Sequence, residues 1–515
     1  MSVKPTDDMY QTSDLEYKLF EQKPVGHQSN GLVSSHHLPE VHNAANDHHE
    51  HRHVRRTSVG RRSSQSASLR HKALPPQQPL GLFPFETSFF DKSPAATQAK
   101  KLYMKMVVGG TVMLIVIIFA IFPIFWGASW RTDRYVHNLN AFVVDFDGGP
   151  IGNATVTALT GPQFRGDRMI DWQIQDSSLW PGGPEQLREA ILDQRAWLGV
   201  AILPGASDKL QAAVAAADPE YDGSTAIQVF AVEARSEGTF RNVIRPQVTQ
   251  VFSMIAQRFA GNFARTVAST PNVDLPNLLT NAPQVLTLPF YYALDNTVPF
   301  DVPVASAVVF VGLIYLLILS LMVTILLGNA REMSGLERGL NLTSLIAMRM
   351  ITPVFMYFFI SLFYSLLSYA FDLPFNRRFG SSGFVIFWML QWIGMLTLGF
   401  AIEAVLTLLT NKGLPLFIIL WIITNVATCF VPLELLPGIF KFGYAWPFFN
   451  ISEATRTIVF GTKNQLPLNF GVLLAWVALS CFTIPLFIFI ARRRDMKAYR
   501  AQRMGGREAA GVAPQ

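Results

Sequence analysis

Apolar residues in this chain collect in unbroken blocks; they do not recur at the helical period of a half-buried surface or alternate as in a half-buried strand. The first block, 106–126 (MVVGGTVMLIVIIFAIFPIFW), would rise roughly 30 Å as a helix, about the thickness of a bilayer's hydrocarbon core. Five more blocks of near-spanning length follow at 303–327, 348–369, 384–408, 414–431 and 470–490. The pattern predicts a polytopic α-helical membrane protein with about six transmembrane helices.

Charges flanking the blocks predict how they are threaded. Lys100, Lys101 and Lys105 precede the first block and Trp126 and Trp130 follow it, which sets a cytosolic positive flank against an aromatic anchor at the far interface. Met1 to Tyr10 is polar and acidic, so the first block itself is expected to serve as the insertion signal. Six spans return the chain to its starting side, with both termini cytosolic in a plasma membrane or endomembrane. Arg331, Arg338 and Arg349 then fall inside, as do Arg492, Arg493, Arg494, Lys497 and Arg500, while Arg377 and Arg378 stand as exceptions outside.

Between the first two blocks, residues 128–301 alternate strand-like runs (141–145, 198–203, 226–232) with helix-like ones (184–196, 206–217), which predicts an extracytosolic α/β domain. An amphipathic stretch over 242–269, its helix beginning near Pro246, leads back towards the membrane. Residues 1–98 are rich in His, Ser, Pro, Gln and Asn without an apolar period, and read as a disordered basic cytosolic tail. Residues 303–490 form the five-helix remainder of the membrane domain, and 491–515 a basic cytosolic C-terminal tail.

Composition agrees with lipid as solvent. Of 515 residues 50% are hydrophobic and only 15% charged, and 40 are Phe. Both cysteines, Cys429 and Cys481, lie inside apolar blocks, so the external segment has none to pair. The net charge of +6 is explained by basic residues in the tail and beside the spans, without a nucleic-acid partner.

Candidate chemistry is sparse. His48, His49, His51 and His53 have the right donor atoms for a metal but no fixed geometry, so no metal site is expected. Ser58 and Ser64, each after an Arg pair, fit basic-directed phosphorylation, which would offset positive charge near an anionic leaflet. Asp145 and Asp147 lack the further oxygen ligands of a calcium loop and read as the end of a strand. Glu403, inside the fourth block, is the one intramembrane acid; it is a candidate proton or substrate relay, or else pairs with an inner-loop Arg. Pro123, Pro353 and Pro415 could bend spans, as Pro commonly does in membrane helices. Asn153 and Asn450 head glycosylation sequons on the predicted outside, and Asn341 heads one on the inside. No phosphate-binding loop, zinc-hydrolase motif or serine-hydrolase elbow occurs, so neither an ATPase nor another enzyme is expected, and no cofactor.

The stretch 443–464 (GYAWPFFNISEATRTIVFGTKN), with 469–473, closely resembles the fungal nitrosoguanidine-resistance membrane protein family, its signature carried by Tyr444, Pro447, Asn450, Glu453, Arg456, Gly461, Lys463 and Asn464. Trp126-Gly127-Ala128 and the one-plus-five arrangement fit as well, over roughly residues 100–495. That family is distantly similar to the membrane subunits of type-2 ABC exporters and to bacterial phage-infection-type membrane proteins. Residues 143–149 and 201–207 are similar to their external domain, although Gly205 stands where that domain commonly carries Asn. The resemblance implies that Arg331, Glu332, Glu337 and Arg338 form a loop of the kind that engages an ATPase in trans. It also implies an exporter-permease role in drug resistance, moving or redistributing small amphipathic substrates or membrane lipids. The rival expectation is a non-transporting receptor or scaffold whose helices anchor it and associate as a homo-oligomer.

Overall fold

A computed structural model describes residues 87–271 and 273–509; the tail histidines, Ser58 and Ser64 lie outside the described residues. The first helix, α1 (Pro94–Ile121), starts where Ser93 Oγ accepts from the Ala96 amide and Pro94 supplies a preset φ. Its buried residues are Ala96, Ile117 and Ile121. Its other apolar side chains face outwards, as lipid permits and water would not.

The intervening segment folds as a mixed five-stranded sheet in the order β2-β1-β3-β4-β5. The strands are β1 (Asn140–Asp145), β2 (Asp171–Gln175), β3 (Leu198–Ile202), β4 (Ile227–Ala231) and β5 (Tyr292–Asn296). β1 runs parallel to β2 and β3, β4 antiparallel to β3, and β5 parallel to β4. β3 is buried at every position, as befits a central strand covered on both faces. One face packs under α2 (Pro150–Leu159), α4 (Ala206–Ala216) and α5 (Arg245–Ser269) through Ile151, Leu210, Val248 and Phe252. The other meets α3 (Gly183–Leu192) through Leu187, Ala190 and Ile191. The apolar core on that side continues through Val298 and Phe300 into the helical bundle.

The bundle comprises α6 (Ala307–Met333), α7 (Leu342–Ala370), α8 (Gly383–Ala427), α9 (Pro447–Phe460) and α10 (Leu466–Ala509). Among the described residues five helices are long and apolar enough to cross a membrane, α1 among them and α9 not, against about six expected. The block expected at 414–431 is a shorter helix, Gly413–Ala427, with a rise of about 22 Å. It belongs to α8, which is not straight. Thr397 donates to the Leu473 carbonyl at 3.0 Å and the Trp421 ring lies 5.3 Å from that of Trp476. Residues 397 and 421 therefore meet α10 within one turn of each other, whereas a straight helix would hold them about 36 Å apart. The chain reverses between the two limbs, near Gly413 and Pro415.

Close approach ties the bundle together. The Tyr357 hydroxyl donates to the Ser320 carbonyl at 3.0 Å, and Trp388 and Trp392 donate to the carbonyls of Phe358 and Val354 at 3.1 and 3.0 Å. Tyr357 fits because residue 399 is Gly: a Cβ there would fall 2.0 Å from its hydroxyl oxygen.

Candidate functional site

Charges gather at both ends of the bundle. At the end away from the sheet, Arg331 lies in the last turn of α6, the chain turns at Gly335 (φ +74°), and a single helical turn presents Glu337. Asn341 then caps α7, its Oδ1 accepting from the Ser344 amide at 2.8 Å, so that Arg349 falls on the inward face. The first limb of α8 brings Glu403 between the two arginines. Arg331 Nη2 donates to Glu403 Oε1 at 2.8 Å and Arg331 Nε to Glu337 Oε2 at 3.3 Å. Arg349 bonds Glu337 through Nη2 and the Thr407 hydroxyl through Nη1 at 2.7 Å, with Glu403 Oε1 at 3.4 Å.

Arg331, Arg349 and Glu403 are 7%, 8% and 3% exposed and Glu337 is partly exposed, so three charges of this quartet of two positive and two negative are removed from solvent. Such a set is tolerable because its charges cancel locally; breaking it by removing one member costs about 3–5 kcal/mol. Of the two expectations for Glu403, the structure brings it to inner-loop arginines. The predicted coupling loop divides: Arg331 and Glu337 turn into the quartet, while Glu332 and Arg338 are exposed beside Met333, 88% exposed. In the sequence Arg349 reads only as a topology-setting charge and Thr407 is not singled out; that Arg349 is an Arg inside an apolar block is the available signal.

At the opposite end, α9 wedges between sheet and bundle, and the residues that carry the family resemblance build it. Pro447 occupies its first turn. Asn450 donates to the carbonyls of Tyr444 and Trp446, both at 2.9 Å. Arg456 Nη1 reaches the Ala234 carbonyl at 2.9 Å and Glu237 at 2.7 Å on the domain side. Gly461 (φ +78°) ends the helix in the left-handed conformation that favours glycine, the Lys463 carbonyl accepts from Thr457, and Asn464 caps α10 through the Leu466 amide. Burial pushes the Glu453 carboxyl up, against the pull of Arg456 and Arg235. Burial also works to raise Glu237, but Arg456 outweighs it and the carboxyl is held below its ordinary value.

Other ties reinforce this joint. Arg235 lies 3.6 Å from the Trp197 ring centroid and bonds Glu434 at 3.1 Å, and Arg377 chelates Asp301 at 2.8 and 2.9 Å. Glu233 accepts from Arg241, Asn296 and the Phe300 amide, which links the sheet edge to the entry of α6.

One sequence expectation is overturned here and another is met. Asn450, expected to carry a glycan, is 1% exposed with its amide committed to two carbonyls, so a glycan cannot sit on it in this fold. Asn153 is exposed on α2. Asp145 and Asp147 are consumed by the turn after β1: Asp145 Oδ1 accepts from the amides of Asp147 and Gly148, and Asp147 accepts from the Ser207 amide and hydroxyl. Among the described residues no cluster of three His, Cys, Asp or Glu could hold a metal ion.

An apolar bundle of this kind, keyed to a sheet domain, defines a multi-pass membrane protein. Residues 110–482 match the family described as a protein of unknown function (DUF3533), and the chain belongs to that family. It is 27% identical over 453 residues to the uncharacterized endoplasmic reticulum membrane protein YJR015W of Saccharomyces cerevisiae, covering 80% of this chain and 84% of that one. No solved structure matches.

Proposed function

We propose that the protein is an exporter-permease-type membrane protein of an endomembrane, which moves or redistributes lipids or small amphipathic compounds and thereby contributes to drug resistance, the role that its resemblance to the nitrosoguanidine-resistance family implies. The observation that carries this reading is α9, a buried helix bonded on one side to the sheet domain through Arg456 and on the other to the bundle, where Ser452 donates to the Val309 carbonyl at 2.7 Å. A shift of either body is passed directly to the other.

In this reading the chain crosses the membrane six times, the short limb Gly413–Ala427 included, with the sheet domain extracytosolic and both termini cytosolic. Support comes from Arg492, whose guanidinium bonds the Leu340 carbonyl and so sets the basic run late in α10 beside the ionic quartet. The relative named for the endoplasmic reticulum favours an endomembrane over the plasma membrane. Exposed Glu332, Met333 and Arg338 would meet an ATPase in trans, and membrane lipids are the natural substrates.

The test is translocation of fluorescent lipid by the full chain in vesicles, with and without a proton gradient. Faster movement than in empty vesicles, lost in Arg456→Met, is expected. Movement equal to empty vesicles under all conditions overturns transport. It would leave a receptor or scaffold, a reading favoured by the missing phosphate-binding loop.

A further inference from the structure

The segment joining α7 to α8 lines an open cavity of about 610 Å³ at the sheet end of the bundle, a volume within the range of small-molecule sites. Its electrostatics are unusual for a helix end. α7 closes with the Leu373 amide donating to the Ser368 carbonyl and Asp372 in the left-handed conformation (φ +56°), a position that ordinarily goes to Gly or Asn. Asp there adds a full negative charge to the negative end of the helix dipole, and no basic residue lies in the last turn of α7. Among the described residues Asp372 makes no ion pair. The arginines that follow are engaged elsewhere, Arg377 by Asp301 and Arg378 by the carbonyls of Gly461 and Thr462.

Three aromatic residues line the same cavity. Phe384 stands edge-on to Tyr369 at 5.9 Å and 73°, and to Phe375 at 5.7 Å and 80°. Ring faces meeting near right angles beside an uncompensated carboxylate form the environment that attracts a quaternary ammonium, which needs no hydrogen-bond acceptor. Ser381 and Asn376 line the cavity too and can donate to a phosphate. Below it, Phe355, Phe359 and Leu366 stand exposed, 62%, 56% and 41% respectively, on the face of α7 that carries Tyr369, an apolar track leading up to the cavity.

We propose that this cavity binds the choline headgroup of a membrane phospholipid, the ammonium held by Asp372, Tyr369 and Phe384 and the acyl chains lying along the exposed track of α7. The proposal rests on the membrane reading above and names the lipid class, but it requires binding only, not translocation.

The test is cross-linking of a photoactivatable phosphatidylcholine to the full chain in detergent, with no gradient imposed. Asp372→Asn keeps the residue type the turn prefers and should lower labelling by roughly tenfold at unchanged thermal stability; Tyr369→Leu should do likewise. Unlabelled phosphatidylcholine should compete, phosphatidylglycerol should not, and free phosphocholine should compete only at much higher concentration. Undiminished labelling of Asp372→Asn, or equal competition by phosphatidylglycerol, overturns the site, and equal competition by free phosphocholine overturns the acyl track. Because nothing is transported in this assay, its failure leaves the translocation reading standing, and failed translocation leaves the binding result intact.

Discussion

At the scale of single residues, the bundle is set by a few contacts that allow no substitution. Gly399 faces the Tyr357 hydroxyl so closely that Gly399→Ala must displace a ring 1% exposed and bonded to the Ser320 carbonyl. Thermal unfolding in detergent should show a loss of about 1–3 kcal/mol, the usual cost of overpacking. Glu403 offers a sharper comparison. Glu403→Gln leaves Arg331 and Arg349 sharing Glu337 alone and should cost about 3–5 kcal/mol, whereas Arg331→Met with Glu403→Leu removes one charge of each sign and should recover most of it. A Glu403→Gln protein as stable as wild type would show that the quartet is not structural. From sequence, Glu403 could be recognised as anomalous but its partners could not, since they lie 72 and 54 positions away on other helices. In the sequence Arg331 belongs to a loop and Arg349 to the charges that set topology.

At the scale of elements, the long apolar blocks and the buried strands were legible because their patterns are extreme. β2 (DWQIQ) and β5 (YALDN) were missed because edge strands covered on one side carry mixed, short sequences that resemble loops. α8 corresponds to two blocks of the sequence, and the reversal between them is implicit in that division, but the second limb, Gly413–Ala427, is shorter than the block 414–431 suggests. α9 was noticed only through its family resemblance; its mixture of Asn, Glu, Thr and Arg follows no simple period because one side meets a bundle and another a polar joint. That joint makes a pH prediction. Glu237 is depressed below its ordinary 4.5 by Arg456, and Asp301 below 3.8 by hydrogen bonds from Arg377. A depressed carboxylate contributes stability that is full above its unfolded value and is lost as pH falls through its folded one. Limited proteolysis of the linkers around residues 301 and 434 should therefore rise as pH falls below about 4, whereas Glu453, its carboxyl raised by burial, contributes with the opposite sign at higher pH. Arg456→Met, which strands Glu237, should bring the same susceptibility at neutral pH.

At the scale of the whole molecule, the chain has two chemically different ends, and their assignment to the two sides of a membrane can be read with one modification. Asn153 is exposed on α2 of the sheet domain, while Asn450 is enclosed at the joint and Asn341 uses its side chain to cap α7 at the quartet end. If the sheet domain faces the lumen, the full chain made in a glycosylating cell carries a single glycan among these three sites. Asn153→Gln should then remove the glycosidase-sensitive shift on gels, and Asn450→Gln and Asn341→Gln should leave it unchanged. The two buried or capping positions also serve as internal controls for folding: Asn450→Gln breaks bonds to two carbonyls and should lower stability without altering the glycan. A shift that survives Asn153→Gln but disappears with Asn341→Gln would place the arginine quartet in the lumen, against the positive-inside distribution of Lys100, Lys101, Lys105 and Arg492–Arg494, and would invert the topology on which the transport reading depends.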